Sequence, residues 1–222
     1  KITHIKFMII CSLLLGACQS EEYEVLTEES EASFTEGSEF YNLVERSSMH
    51  DGSKDDEVDE SPCFSLQFPY KLIIDGLEIK IASASDLEVV LKRLDEMESD
   101  DFLLQFPVTV TLSNYENVTI SNLDQFHEFQ QNCENEIEED IAPITCVDIE
   151  FPVKIFVYNT NTQQTNSANI ANKQQLYVFL QNKASNEVLN FEYPVTISYE
   201  EDSKVEINGS TEFSNALNNC IN

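Results

Sequence analysis

The sequence predicts an α+β fold. Four tandem β-β-α repeats form two domains, each a four-stranded, mainly antiparallel sheet with two helices on one face. Three observations predict it. An aromatic-Pro pair recurs four times, as Phe68-Pro69, Phe106-Pro107, Phe151-Pro152 and Tyr193-Pro194. A helix-start signal follows each pair at a fixed distance from an Ile, and the cysteines repeat with a period of two units.

The first element of each unit is a strand. After each Pro, apolar residues alternate with others, as in Val108, Val110 and Leu112, which is the period of a half-buried strand. Proline has no N–H to give to a ladder, so it belongs at a strand start, an edge or a bulge. The aromatic beside it is read as a core residue. A turn follows. Asp75-Gly76 is a strong two-residue hairpin signal. The third turn, Asn159 to Ser167, reads as a long polar insertion. Tyr115, Tyr158 and Tyr199 lie near the hairpin tips, and ordinary strand packing is the expected role for them.

The second strand of each unit ends on Ile81, Ile120, Ile170 or Ile207. Two residues later comes a helix cap, Ser83, Asn122, Asn172 or Gly209. Three residues further on, Asp86, Gln125, Gln175 or Glu212 completes a capping box or an approximation to one. Leu87, Phe126, Leu176 and Phe213 then open the apolar face of each helix.

Four cysteines lie in the repeat region. Cys63 and Cys146 each precede a Pro by six residues, in the first and third units, whereas Cys133 and Cys220 follow the second and fourth helices. The arrangement predicts domains over 61–133 and 144–222, each closed by one disulfide, Cys63–Cys133 and Cys146–Cys220. Four cysteines allow three connectivities, with zinc as the other use of such residues. The spacings do not match paired C-x-x-C sites. Glu134 to Pro143, acidic and ending in Pro, reads as a linker, with a short extension of the preceding helix as the rival.

The chain has 222 residues and a formal net charge of −29, from 41 acidic and 12 basic residues. Nucleic acid is therefore not an expected partner, because binding it needs clustered Lys and Arg. From Gln19 to Pro62 there are 15 Asp and Glu against one Arg and one Lys. Residues 18–60 accordingly read as an acidic, disordered tether. Asp51 to Glu60, "DGSKDDEVDE", does not follow the EF-hand pattern and reads as part of that solvated spacer.

Lys1 and Lys6 precede an apolar run, Phe7 to Ala17, which is too short to span a membrane as a helix. The run ends in Leu15-Gly16-Ala17-Cys18, which resembles the lipobox of bacterial lipoproteins. The resemblance implies that residues 1–17 are a signal peptide, that Cys18 carries lipid, and that this lipid joins the protein to a membrane. The Ser and acids of "CQSEEYE" after it resemble the export signal of surface lipoproteins in Bacteroidota-type bacteria. That implies the outer membrane and its extracellular face. The aromatic-Pro-Val units resemble tandem repeats in uncharacterised lipoproteins of the same bacteria, which implies architecture and location but no activity.

No catalytic set is legible. His4, His50 and His127 have no nucleophile at a telling spacing, and five glycines form no phosphate loop. No catalytic residue, cofactor or metal site is expected. The expected function is that of a non-catalytic, lipid-anchored envelope protein that binds a protein or glycan. The alternative is a calcium-dependent or carboxylate-using glycan-binding or hydrolytic lipoprotein.

Overall fold

Each aromatic-Pro pair stands between two strands that belong to different sheets. The computed structural model describes residues 33–96, 102–136, 142–199 and 203–221. Ahead of the four pairs lie short lead strands: β2 (Phe64–Leu66), β5 (Phe102–Leu104), β8 (Val147–Ile149) and β11 (Glu187–Phe191). Behind them lie hairpins: β3 (Tyr70–Ile74) with β4 (Leu77–Ile81), β6 (Val108–Leu112) with β7 (Asn117–Ile120), β9 (Val153–Asn159) with β10 (Gln164–Ile170), and β12 (Val195–Tyr199) with β13 (Lys204–Ile207). Each hairpin feeds a helix: α3 (Ala84–Glu96), α4 (Leu123–Glu136), α5 (Lys173–Gln181) and α6 (Ser210–Asn218). All four aromatic-Pro peptide bonds are cis.

The lead strands are exchanged. β2 pairs with β6 and β5 pairs with β3, so each hairpin receives the lead strand of the other. β8 pairs with β12 and β11 pairs with β9 in the same way. One backbone bond beyond each lead strand repeats the pattern: Gln67 N–H to the Thr109 carbonyl at 2.8 Å, Gln105 to Lys71 at 3.0 Å, Glu150 to Thr196 at 2.9 Å and Glu192 to Lys154 at 2.8 Å. The expected single four-stranded sheet per domain is therefore corrected. The described strands form antiparallel sheets ordered β2-β6-β7, β4-β3-β5 and β13-β12-β8, plus a four-stranded one completed by a segment that precedes the first aromatic-Pro pair. The reason is local. Proline ends the ladder, the chain turns, and the residues before it pair elsewhere.

Two hydrophobic cores result. One gathers Phe64, Leu66, Tyr70, Leu72, Ile81, Leu87, Val110, Ile120 and Phe126; the other gathers Ile155, Ile170, Leu176, Leu189, Phe191, Ile197, Ile207 and Phe213. The aromatics of the four aromatic-Pro pairs are partly buried against these cores. All four Ile residues that end hairpins are buried, as are the four residues that open the helical faces. The capping boxes form. Asn172 Oδ1 accepts from the Gln175 N–H at 2.9 Å while Gln175 Oε1 accepts from the Ala171 N–H at 2.9 Å. Asn122 with Gln125 and Ser83 with Asp86 do the same, and Glu212 accepts from Asn208 N–H where Gly209 offers no side chain.

The disordered tether is the second correction. Residues 33–60 are built into the fold. β1 (Ser33–Thr35) adds to β11, giving a sheet ordered β1-β11-β9-β10. α1 (Glu39–Ser48) is capped by the Ser38 hydroxyl and packs against α5 and α6. It buries Tyr41, Leu43 and Val44, and Phe34 on β1 is buried with them. The Tyr41 hydroxyl donates to the Leu180 carbonyl at 2.6 Å. Helical stability comes mainly from such packing, so four well-placed apolar side chains outweigh an acidic composition. Residues 1–32, including the expected signal peptide, Cys18 and the first part of the tether, lie outside the described residues.

Two smaller differences concern connections. β9 and β10 run through most of the expected third loop, so the extra residues lengthen the hairpin and leave a turn of only Thr160 to Gln163. α4 continues to Glu136, into the expected linker. Ile144 beyond it is buried, and its N–H donates to the Arg46 carbonyl at 3.1 Å.

Candidate functional site: a buried carboxylate cluster

The chemically unusual place in the molecule is the segment Asp51 to Ser61, which joins α1 to β2. Asp51 Oδ1 accepts from the Ser53 N–H at 3.0 Å and starts a helical turn over Ser53–Asp55. A one-turn helix, α2 (Asp56–Asp59), follows and ends at Glu60 in the left-handed region, φ 51°. Val58 anchors the turn in the first core. Gly52 lies against the backbone of Pro62 to Phe64; a Cβ there would sit 2.5 Å from Phe64 N and 2.6 Å from the Pro62 carbonyl oxygen. Only glycine fits that approach.

This geometry turns two carboxyls inward. Asp55 is 4% exposed and Asp59 is 0% exposed. Asp55 Oδ2 accepts from the Leu66 N–H at 2.6 Å, and Asp59 Oδ1 accepts from the Ser61 N–H at 3.1 Å. The other oxygens, Asp55 Oδ1 and Asp59 Oδ2, have no hydrogen-bond partner, and neither does the buried Tyr70 hydroxyl on β3. The neighbouring Asp56 Oδ1 is also buried and unpartnered. Gln130 on α4 donates to the Asp59 carbonyl, and the Ser61 hydroxyl lies 3.3 Å from Cys133 Sγ. The cluster therefore sits directly beside the Cys63–Cys133 pair.

Burial disfavours the charged form of a carboxyl. Asp59 is pushed up to about 9, first by desolvation and then by the charge of Asp55. Asp55 is pushed up to about 7, again mainly by desolvation, with the Leu66 N–H opposing and Asp56 and Asp51 adding to it. The Tyr70 hydroxyl is raised by desolvation and by Asp55 and Asp59, which places its oxygen within electrostatic reach of both. Among the described residues no cation acts on either carboxyl. Among the described residues no three His, Cys, Asp or Glu side chains are placed to hold a metal ion. Desolvation, the largest influence on both carboxyls, favours their protonated form.

The structure pairs Cys63 with Cys133 and Cys146 with Cys220, with Cα separations of 6.1 and 5.7 Å. Cys63 and Cys133 pack against the first core, and Cys220 against the second. His50 is not in a solvated spacer: its Nε2 lies 2.5 Å from Ser65 Oγ and its ring 5.5 Å from that of Tyr115. No helix among the described residues is long and apolar enough to cross a membrane. Asp55, Asp59 and Tyr70 escape a reading of the sequence, because acids in an acidic stretch look solvated. The signal present there is Val58, a lone large aliphatic residue, with Gly52 shortly before it. No protein family, no curated protein and no solved structure matches this chain.

Proposed function

We propose that this protein is a non-catalytic, lipid-anchored envelope protein whose folded part is displayed outside the outer membrane to bind another macromolecule. The anchor is Cys18, in Leu15-Gly16-Ala17-Cys18, after an apolar run led by Lys1 and Lys6. The observation that carries the reading is the pair of disulfide-bonded cysteine couples in a chain with that leader. Disulfides persist in oxidising compartments and are rare in the cytosol. The folded part is two domains of two strand-strand-helix units each. The fourfold recurrence of lead strand, hairpin and helix supports this, as do the two cores, each with cysteines packed against it.

The partner class is a protein or a glycan rather than nucleic acid, given the charge of −29. Protease treatment of intact cells tests display: cleavage without lysis is the expected result. Full protection until the cells are lysed would contradict it.

A further inference from the structure

Asp55 and Asp59 sit on a joint. The segment they occupy leaves α1, whose side chains are buried in the second core, and enters β2, which belongs to the first. We propose that Asp55 and Asp59 form a proton-holding pair that clasps residues 51–61 onto the first core near neutral pH and releases them in alkaline solution.

Two carboxylates that are both ionised and buried, with no cation acting on them among the described residues, would repel each other and forgo hydration. Three buried polar atoms from two separate elements, Asp55 Oδ1, Asp59 Oδ2 and Tyr70 Oη, lack partners. A proton on the pair converts an acceptor into a donor and removes one charge. Ionisation of the first carboxyl makes that of the second harder, so the pair titrates as a unit.

The charged groups around the pair come from each neighbouring element. Asp51 and Asp56 lie on the same segment and act on Asp55, and Tyr70 faces the pair from β3. On the solvent side, Asp56, Glu57 and Glu60 line a cavity of about 850 Å³ with Lys92 and Asp95 from α3. From β2 the contact is the Leu66 N–H, and from α4 the neutral Gln130. Apart from Lys92, these titratable groups are acids or a phenol, so raising the pH adds only negative charge near the pair.

The test uses the full chain with its disulfides intact. Lys54 is the sole Lys or Arg between Arg46 and Lys71, so trypsin cleavage after it reports release of the segment. Cleavage is expected to quicken at least tenfold from pH 7.5 to pH 9.5 in the native chain, relative to a denatured peptide of the same sequence, and to stay slow in Asp59→Asn. Asn copies the shape of the protonated acid and keeps the oxygen that Ser61 uses. Melting at pH 9 is expected to rise by about 5 °C or more in Asp59→Asn, with the difference shrinking at pH 5. Infrared spectra of the native protein, which need no variant, are expected to show a protonated carboxyl band at pH 8 that is much weaker in Asp59→Asn. Lack of that band in the native protein would overturn the proposal. So would an Asp59→Asn variant that is less stable than the native chain at pH 9, or stabilisation of the native chain by added calcium that the variant loses.

Discussion

The Tyr115 hydroxyl donates to the Ser48 carbonyl at 2.9 Å, across 67 positions of sequence. The bond ties the tip of the β6–β7 hairpin to the end of α1. The same ring lies 5.6 Å from that of Tyr177 on α5 and 5.5 Å from His50. Tyr115 adopts φ 67°, a left-handed conformation that bulky residues rarely take. The turn is thus held in an unfavourable backbone shape while its side chain links the hairpin tip to α1 and α5. Tyr115→Phe removes the bond and leaves the carbonyl unpaired, at an expected cost of about 1 kcal/mol in urea unfolding. Tyr115→Ala also loses the ring contacts and is expected to cost more.

Gly52 gives a sharper expectation. A methyl at this position meets backbone atoms at 2.5, 2.6 and 2.8 Å, none of which is the movable end of a side chain. Gly52→Ala is expected to lose about 2 kcal/mol by forcing the joint away from β2. Gly37, whose Cβ would meet nothing within 4 Å, is not a neutral control because its φ is 76°. Gly209, in extended backbone with open space around its Cβ position, is the better one. Gly209→Ser adds the missing cap and is expected to leave stability unchanged or raise it by a few tenths of a kcal/mol.

The two cysteine couples close loops with sequence separations of 70 and 74. In the chain-entropy model each constrains the unfolded chain by about 4 kcal/mol. Reduction, or Cys146→Ala with Cys220→Ala, is expected to lower the unfolding midpoint accordingly. Peptide mapping of the oxidised protein is expected to join Cys63 to Cys133 and Cys146 to Cys220. A Cys63–Cys146 peptide would contradict the pairing.

Stability is also expected to depend on pH in a definite direction. The carboxyls of Asp55 and Asp59 bind protons more tightly folded than unfolded, where an Asp titrates near 3.8. Their stabilising contribution is complete below that pH and is lost as the pH rises through about 7 and then about 9. Between pH 5 and pH 8 unfolding releases protons, and each proton released corresponds to a loss of about 1.4 kcal/mol per pH unit. Urea midpoints measured across this range are expected to fall steadily, and a midpoint that rises with pH would contradict the account.

Much of residues 61–222 was legible because its signals are local. Asp75-Gly76 forms the hairpin turn with φ values of 51° and 76°, the pairing such a turn needs. The caps and the apolar residue after each one occupy the positions that their spacing implies. The lead strands were not legible. Phe64–Leu66 and Val147–Ile149 are three residues long, too short to show a period, and their partners lie 44 to 52 residues away. α1 was hidden by averaging, since its apolar face was counted with the acids of the surrounding stretch. The carboxylate cluster was illegible for the same reason: composition describes what a solvated Asp does, and burial reverses it.

The proposed lipid on Cys18 is the direct test of whether this fold works at a membrane. Native protein and Cys18→Ala, each expressed as the full chain in a bacterium that lipidates its own exported proteins, would be separated into membrane and soluble fractions. The account predicts native protein in the membrane fraction with acyl label on Cys18, and the variant unlabelled and soluble. Identical fractionation of the two, with no label on either, would contradict it.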